Sequence, residues 1–430
     1  MNTLVVIVLI GMLVLFLLKV PVYISMTLAG VALMAVTKGV KWGIITQYLY
    51  TGTNSFTLLS IPLFLLAAKL MNTGGITKKL FAFCMKVVGW LPGGLGHVNV
   101  LSSVIFAGMS GTAVSDAGGL GTIEIQAMKD NGFDDDFACC VTAASSTLGP
   151  IIPPSIPMVV YATVSGVSVG ALFMAGIVPG IVMALIMMGL VTVFAVKRNY
   201  PKTKFPTANE FFVALKEGFL PLMAPVILLI GIYGGVFTPT ESAAIVVLYS
   251  LFLDIFIYHE LSLNKFIYIL KETVRDSVTI ALIIAGATFF GYCATRAKIP
   301  QMILEAMTSV VSNKIILLLI INIFLLIIGC FLETASAITI VVPLIMPLLK
   351  AFGVNMTQFG VIMVLNLMIG LLTPPFGLVL FVVAKIGNIS IGRFSKALIP
   401  WMAALILALL IVTFVPAVSL WLPTMLGMSV

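Results

Sequence analysis

Residues 147–155 read Thr147-Leu-Gly-Pro-Ile-Ile-Pro-Pro-Ser155, and residues 369–377 read Ile369-Gly-Leu-Leu-Thr-Pro-Pro-Phe-Gly377. Each interrupts a long apolar run, 137–165 in the first case and 361–384 in the second. Proline lacks an N–H and displaces the carbonyl four residues earlier, so adjacent prolines after a glycine break a helix and free backbone carbonyls. Within a membrane, such a break is tolerated only where protein or a water-filled cavity covers it.

The two breaks are related. A shift of 221 residues aligns 108–179 with 329–400 without a gap. Gly108, Ser115, Lys129, Gly132 and Gly149 then meet Gly329, Ser336, Lys350, Gly353 and Gly370. Pro153-Pro154, Gly166, Phe173 and Pro179 meet Pro374-Pro375, Gly387, Phe394 and Pro400. Most of these identities are Gly or Pro, the residues that shape a backbone. Upstream of each break lies an apolar region with a polar centre, Gly108-Met-Ser-Gly-Thr-Ala-Val-Ser-Asp116 within 94–131 and Gly329-Cys-Phe-Leu-Glu-Thr-Ala-Ser336 within 315–352. Both read as hairpins that dip into the membrane and return.

Composition sets the solvent. Of 430 residues, 61% are hydrophobic and 9% charged, with a mean hydropathy of +1.22. A soluble domain carries roughly 25% charge, so a soluble enzyme, a nucleic-acid binder and a secreted scaffold are excluded. Ten candidate crossings fall near 3–18, 22–36, 55–71, 137–165, 172–196, 219–237, 241–258, 276–294, 361–384 and 397–418. Five of them separate the first hairpin from its copy, an odd number, so the copies run oppositely through the membrane. Inverted repeats of this kind recur in secondary transporters. The expected fold is therefore an all-α polytopic membrane protein of two inverted-topology repeats, each with a re-entrant hairpin and a Pro-Pro-broken helix.

Charge tests this topology independently. Lys38, Lys41, Arg296, Lys298, Lys314 and Lys350 fall on one side, and the other 17 of the 23 Lys and Arg, Lys19 among them, fall on the side of the 198–210 linker. The positive-inside rule makes the linker side cytoplasmic and turns both termini outward. The net charge of +8 thus records topology rather than a nucleic-acid partner. Residues 3–18 lack a basic leader and a cleavage site and read as a retained first helix. Segments 78–90, 208–218, 260–275 and 299–312 read as amphipathic helices at the interface. Trp42, Trp90, Trp401 and Trp421 stand near span ends, where an aromatic belt would hold them. The five cysteines read as small buried hydrophobes. His97 and His259 form no catalytic pair, and no nucleotide motif occurs, so no enzyme and no cofactor are expected.

Freed carbonyls and nearby hydroxyls form a hard-oxygen cage suited to Na⁺, and half-helix N-termini offer positive dipole ends to an anion. Ser110, Thr112 and Ser115 at the first tip, and Thr334 and Ser336 at the second, are candidate cation ligands, against the alternative that each bonds its own backbone. Glu333 and Asp116 are ionisable at membrane depth and thus functional candidates, against the alternative of capping a half-helix. Ser155 could donate to substrate, and Asn366 could support the second break. Asp134-Asp-Asp136 reads as a solvated helix start rather than a metal cluster.

With these residues in view, the chain resembles the large membrane subunit of tripartite ATP-independent periplasmic (TRAP) transporters. The carrying motifs are Gly108-Met-Ser-Gly-Thr-Ala-Val-Ser-Asp-Ala-Gly-Gly-Leu-Gly121, Leu148-Gly-Pro-Ile-Ile-Pro-Pro-Ser-Ile-Pro-Met158, Gly235-Val-Phe-Thr-Pro-Thr-Glu-Ser-Ala-Ala244 and Gly370-Leu-Leu-Thr-Pro-Pro-Phe-Gly377. The resemblance implies Na⁺-coupled uptake of an organic acid by an elevator movement in a bacterial inner membrane, with two or more coupling ions. It implies a small four-helix membrane subunit and a periplasmic substrate-binding protein as partners. It has the tips at 108–116 and 329–337 and the breaks at 147–155 and 369–375 hold the Na⁺ and flank the substrate. With the residue reading above, the Na⁺ candidates are Gly108, Ser110, Thr112, Ser115, Gly149, Pro150, Ile152, Glu333, Thr334, Ser336, Gly370 and Thr373, and the substrate candidates Ser110, Asp116, Ser155 and Asn366. Glu333 departs from the Asp that many members carry. Thr238, Thr240 and Glu241 look like scaffold, with Glu241 fixing a helix start. The first tip looks like members that carry sugar acids such as sialic acid, with C4-dicarboxylates the alternative and a passive anion channel the rival of another class. The implied division is a first repeat over 1–197 (scaffold 1–92, transport part 93–170), a linker over 198–210, and a second repeat over 211–430 (scaffold 211–313, transport part 314–390).

Overall fold

The fold is that of a computed structural model, which describes residues 3–18, 20–37, 42–72, 74–374 and 377–430. The expectations on Lys19, Lys38, Lys41, Pro375 and Phe376 lie outside the described residues. Every regular element among them is helical. Seven helices are long and apolar enough to cross a bilayer, and the pair Gly43–Thr53 and Phe56–Met71, bent by 53°, adds an eighth as a broken span. The two amino-terminal runs form shorter helices, Thr3–Leu17 and Val22–Thr37. The chain is a multi-pass membrane protein.

The repeat is visible in the backbone. The outgoing arms of the hairpins are Gly94–Ser110 and Lys314–Phe331. Next come Thr112 and Glu333, which the 221-residue shift makes equivalent, and both are extended N-cap residues. The returning arms end before Gly132 and Gly353, each with a positive φ that disfavours a side chain. The broken spans follow as Asp135–Ser146 with Ile156–Ser165, and Met356–Gly370 with Leu378–Gly387. Then come Val169–Arg198 and Ile391–Phe414, carrying Pro179 and Pro400 inside the helix. The returning arms differ: the first is interrupted at Gly119, and the second runs unbroken over Thr334–Ala351.

Packing produces two bundles. In one, Leu263–Arg296 is the spine against Val22–Thr37, Gly43–Thr53 and Ser60–Met71, while Ala208–Tyr233 covers Gly74–Val88. In the other, Val169–Arg198 and Ile391–Phe414 pack on the hairpin arms and broken spans. Each outgoing arm packs on the first half of its own repeat's broken span. Each returning arm packs on the second half of the other repeat's: Thr334–Ala351 on Ile156–Ser165, and Ala113–Gly118 on Leu378–Gly387. At the second hairpin the approach is backbone to backbone. A Cβ on Gly370 would stand 2.5 Å from the Cα of Gly329.

Two expectations are corrected. The segments 208–218 and 260–275 are not separate interfacial helices; from Ala208 and Leu263 on they continue directly into spans, as Ala208–Tyr233 and Leu263–Arg296. Pro221 and Pro225 lie inside the first of these helices without ending it. Trp401 is not at an interface but 1% exposed, stacked on Phe194 and edge-on to Phe137. Two remaining segments do form helices of their own, Gly74–Val88 and Ile299–Val310.

The three aspartates at the start of Asp135–Ser146 each hold a cation. Asp134 pairs with Arg198 at 2.7 Å, Asp135 with Lys129 at 3.1 Å and Asp136 with Arg393 at 2.8 Å. They tie the start of the first broken span to the ends of its neighbours, while Asp134 and Asp135 stay exposed, as expected of a solvated helix start. Tyr200 of the linker also donates to Asp134 at 2.6 Å. That hydrogen bond, then the Arg198 contact, holds the Asp134 carboxyl below the usual carboxylate range.

Two measurements test this packing. Gly370→Ala should lower the thermal stability of detergent-purified protein by about 1–3 kcal/mol through overpacking. Gly392→Ala, where an added Cβ meets nothing within 4 Å, should be neutral or stabilising; equal melting of the two variants would refute the contact. For Asp134 the folded value is depressed, so its stabilisation is present above about pH 4 and is lost as pH falls through the depressed value. Hydrogen exchange of residues 199–206, corrected for intrinsic rates, should therefore accelerate below about pH 4. Protection that stays constant would show that the clip does not hold the linker.

Candidate functional site

Both tips and both breaks meet at one cavity of about 110 Å³, lined among others by Thr112, Ala113, Pro150, Ile156, Glu333, Thr334 and Leu378. Ala113, Ile156, Thr334 and Leu378 are the first residues of four helices. Unpaired N–H groups and the macrodipole make a helix N-terminus electropositive, so four such ends point at one space. Ile280 of the spine helix Leu263–Arg296 closes the cavity from the other bundle.

Each end is built by local chemistry. Thr112 Oγ1 accepts from the backbone N–H of Ser115 at 3.3 Å. Gly111 precedes it with φ +62°, and a Cβ there would lie 2.8 Å from the Pro154 carbonyl oxygen, so glycine permits the turn and the close approach of tip to break. Ser155 Oγ donates to the Pro150 carbonyl at 2.5 Å and accepts from Met158 N–H at 3.2 Å. Its hydroxyl is thus engaged within the break. Glu333 accepts from Ser336 N–H at 3.2 Å and Ser336 Oγ at 3.4 Å. Glu333 is exposed and is one of the residues that line the cavity. Its carboxylate caps the second returning arm, and the residue stands on the wall of the space between the halves.

The remaining predicted residues fall into two groups. Near the tips and breaks, Ser110 is buried with an Oγ that has no partner. Ser115 and Ser336 bond to the caps before them. Gly149 abuts the Thr112 carbonyl oxygen, and Thr373 Oγ1 donates to Ile369 O at 3.0 Å. Away from the cavity lining, Gly108 lies against Pro225 of the other bundle, Ile152 against Gly180, and Gly370 against Gly329. Asn366 donates to Asn322 Oδ1 at 2.7 Å and joins the second outgoing arm to its broken span. Asp116 is 1% exposed and is absent from the cavity lining. Glu241 closes a capping box with Thr238 and fixes the start of Pro239–Phe252.

The structure adds a cluster that the tip motifs did not reveal. Asn99 Nδ2 donates to Glu124 Oε2 and to Thr142 Oγ1, both at 2.7 Å, and Ser145 Oγ donates to Asn99 Oδ1 at 2.7 Å. The signal for it was the helical spacing of Asn99, Ser102 and Ser103, and of Thr142 and Ser145, within apolar runs.

Ser155→Ala removes a cap and strands the buried Pro150 carbonyl. It should destabilise the protein by about 1–2 kcal/mol, read as thermal unfolding in detergent; an unchanged midpoint would mean that the break does not depend on this hydroxyl.

Comparison with known proteins agrees with this architecture. The family described as tripartite ATP-independent periplasmic transporter, DctM component, matches residues 9–418. The chain is 42% identical over 403 residues to the sialic acid TRAP transporter large permease protein SiaM of Vibrio cholerae, covering 94% of each. It is 37% identical over 428 residues to the C4-dicarboxylate TRAP transporter large permease protein DctM of Vibrio cholerae, covering 95% of this chain and 94% of that one. Among solved structures, the YdaH transporter of Alcanivorax borkumensis, described as having an unusual topology, shares the fold with a TM-score of 0.60 at 14% identity, over 86% of each chain. The inverted hairpins, the paired breaks and a family match over nearly the whole chain place this protein in the DctM component family of tripartite ATP-independent periplasmic transporters, as a transporter subunit and not an enzyme.

Proposed function

We propose that this chain is the permease of a Na⁺-coupled uptake system for an organic acid anion. The observation that carries the reading is the convergence of four helix N-termini and one carboxylate, Glu333, on a single cavity between inverted halves. The N-termini suit the carboxylate of a substrate. Hydroxyl, carbonyl and Glu333 oxygens around them suit two or more Na⁺. At about 110 Å³ the cavity is smaller than the ~300–1,000 Å³ of small-molecule pockets. Loading therefore needs the two bundles to part, in keeping with an elevator movement of the hairpin-and-break parts, 93–170 and 314–390, along the scaffold parts.

Similarity to the sialic acid permease favours a sugar acid such as sialic acid, and similarity to the C4-dicarboxylate permease makes a dicarboxylate the second reading. The partners are a small four-helix membrane subunit and a periplasmic binding protein that delivers the anion. The membrane is the bacterial inner membrane, with the linker cytoplasmic and both termini periplasmic, in keeping with the charge asymmetry.

In proteoliposomes holding the permease, its small subunit and the binding protein, anion accumulation should require an inward Na⁺ gradient. Equal uptake with choline in place of Na⁺ would sink the coupling, and uptake that never exceeds electrochemical equilibrium would establish a channel. Ser336→Ala should weaken Na⁺ dependence more than substrate affinity; the reverse would move the ion away from the second tip.

A further inference from the structure

Two carboxylates of the first repeat lie outside the cavity between the tips and beyond the reach of any cation in the described structure. Asp116 and Glu124 are each 1% exposed. Among the described residues neither makes an ion pair. Both oxygens of Asp116, Oε1 of Glu124 and the hydroxyl of Ser102 have no hydrogen-bond partner. Ser102 stands beside Glu124 and Ser103 beside Asp116, yet neither pair meets hydrogen-bond geometry. The sole described partner of the pair is Asn99, which donates to Glu124 Oε2 at 2.7 Å.

The fold does not need these charges. At the positions related by the 221-residue shift, the second hairpin carries Ala337 for Asp116, Ile345 for Glu124, Ile323 for Ser102 and Phe324 for Ser103. Although the first returning arm is interrupted at Gly119 and the second is not, the matching positions thus carry apolar residues in one repeat and carboxylates without an ion pair in the other. Buried carboxylates without a counter-charge are strongly destabilising, so something must neutralise them. A proton on each carboxyl would neutralise them without any hydrogen bond between the two groups, and one bound cation would do so through the oxygens that lack a partner. The unpartnered carboxylate oxygens, with the Ser102 hydroxyl beside Glu124, are hard ligands suited to a small cation.

We propose that Asp116, Glu124 and Ser102 form a buried site for a monovalent hard cation, Na⁺, inside the first hairpin and separate from the ions at the tips. This goes beyond the coupling reading and does not depend on it, because an ion held here could be structural or could travel with the substrate. Its place between the outgoing and returning arms of the hairpin would make the cation the element that holds those arms together.

The test is equilibrium binding of ²²Na⁺ to the purified, substrate-free complex of this chain with its small subunit, in detergent. Glu124→Gln keeps an acceptor for Asn99, and Asp116→Asn keeps the volume. Each should bind one Na⁺ fewer per chain than wild type, whereas Ser336→Ala should retain this site. Ser102→Ala, which leaves both charges in place, should weaken one class of Na⁺ by about tenfold, and it carries the test if the charge variants fail to fold. Wild-type Na⁺ counts in Glu124→Gln and Asp116→Asn, or in Ser102→Ala an affinity equal to wild type, would overturn the proposal and leave protons as the neutralising charge. Wild-type protein that holds this Na⁺ yet accumulates the anion equally with choline in place of Na⁺ would instead count against the coupling reading alone.

Discussion

A backbone amide in the middle of a bilayer has no water to bond, and the rest of this architecture follows from that constraint. A chain that breaks its helices there must supply partners for the freed groups or cover them with protein. Thr112, Ser155 and Glu333 supply them as N-caps, each accepting from the amide three residues on. The covering comes from the opposite half. The second hairpin's returning arm lies on the first break, and the first hairpin's lies on the second. Neither repeat could stand alone in lipid, since each would expose the break that the other covers.

The same exchange makes the site. Because each returning arm crosses to the partner repeat, two tips and two breaks far apart in sequence become neighbours around one cavity. The frame is symmetric and the chemistry is not. At equivalent positions the first tip carries a Thr112 hydroxyl and the second the carboxyl of Glu333. The carboxylates Asp116 and Glu124 have apolar counterparts, Ala337 and Ile345. Pseudo-symmetry thus fixes the shape of the pocket, and departures from it distribute charge within it.

Much of this was legible before any coordinates. Double prolines after a glycine announce a break wherever they occur, and Gly132 and Gly353 mark turns because only glycine adopts a positive φ at little cost. Crossing parity needs only a count of apolar runs. What could not be read were matters of partnership. The Asp134–Asp136 run has the sequence of a solvated helix start, and only folding brings Arg198 and Arg393 to it. Trp401 has the spacing of an interfacial tryptophan, and only the approach of Phe137 and Phe194 buries it. Ser155, legible as a polar group beside a break, spends its hydroxyl on Pro150 five residues back, a bond that exists only once the break has its folded shape.

By itself the sequence determined the solvent, the positions of the breaks, the inverted duplication and the family, because hydrophobicity, proline and glycine act locally and leave their mark in the order of residues. The tertiary structure alone decided which tip meets which break, that Ala113, Ile156, Thr334 and Leu378 face one cavity, and that Glu124 meets Asn99. Those contacts span 25 to more than 200 residues of chain. Their geometry comes from the packing of helices against one another, which no local spacing encodes.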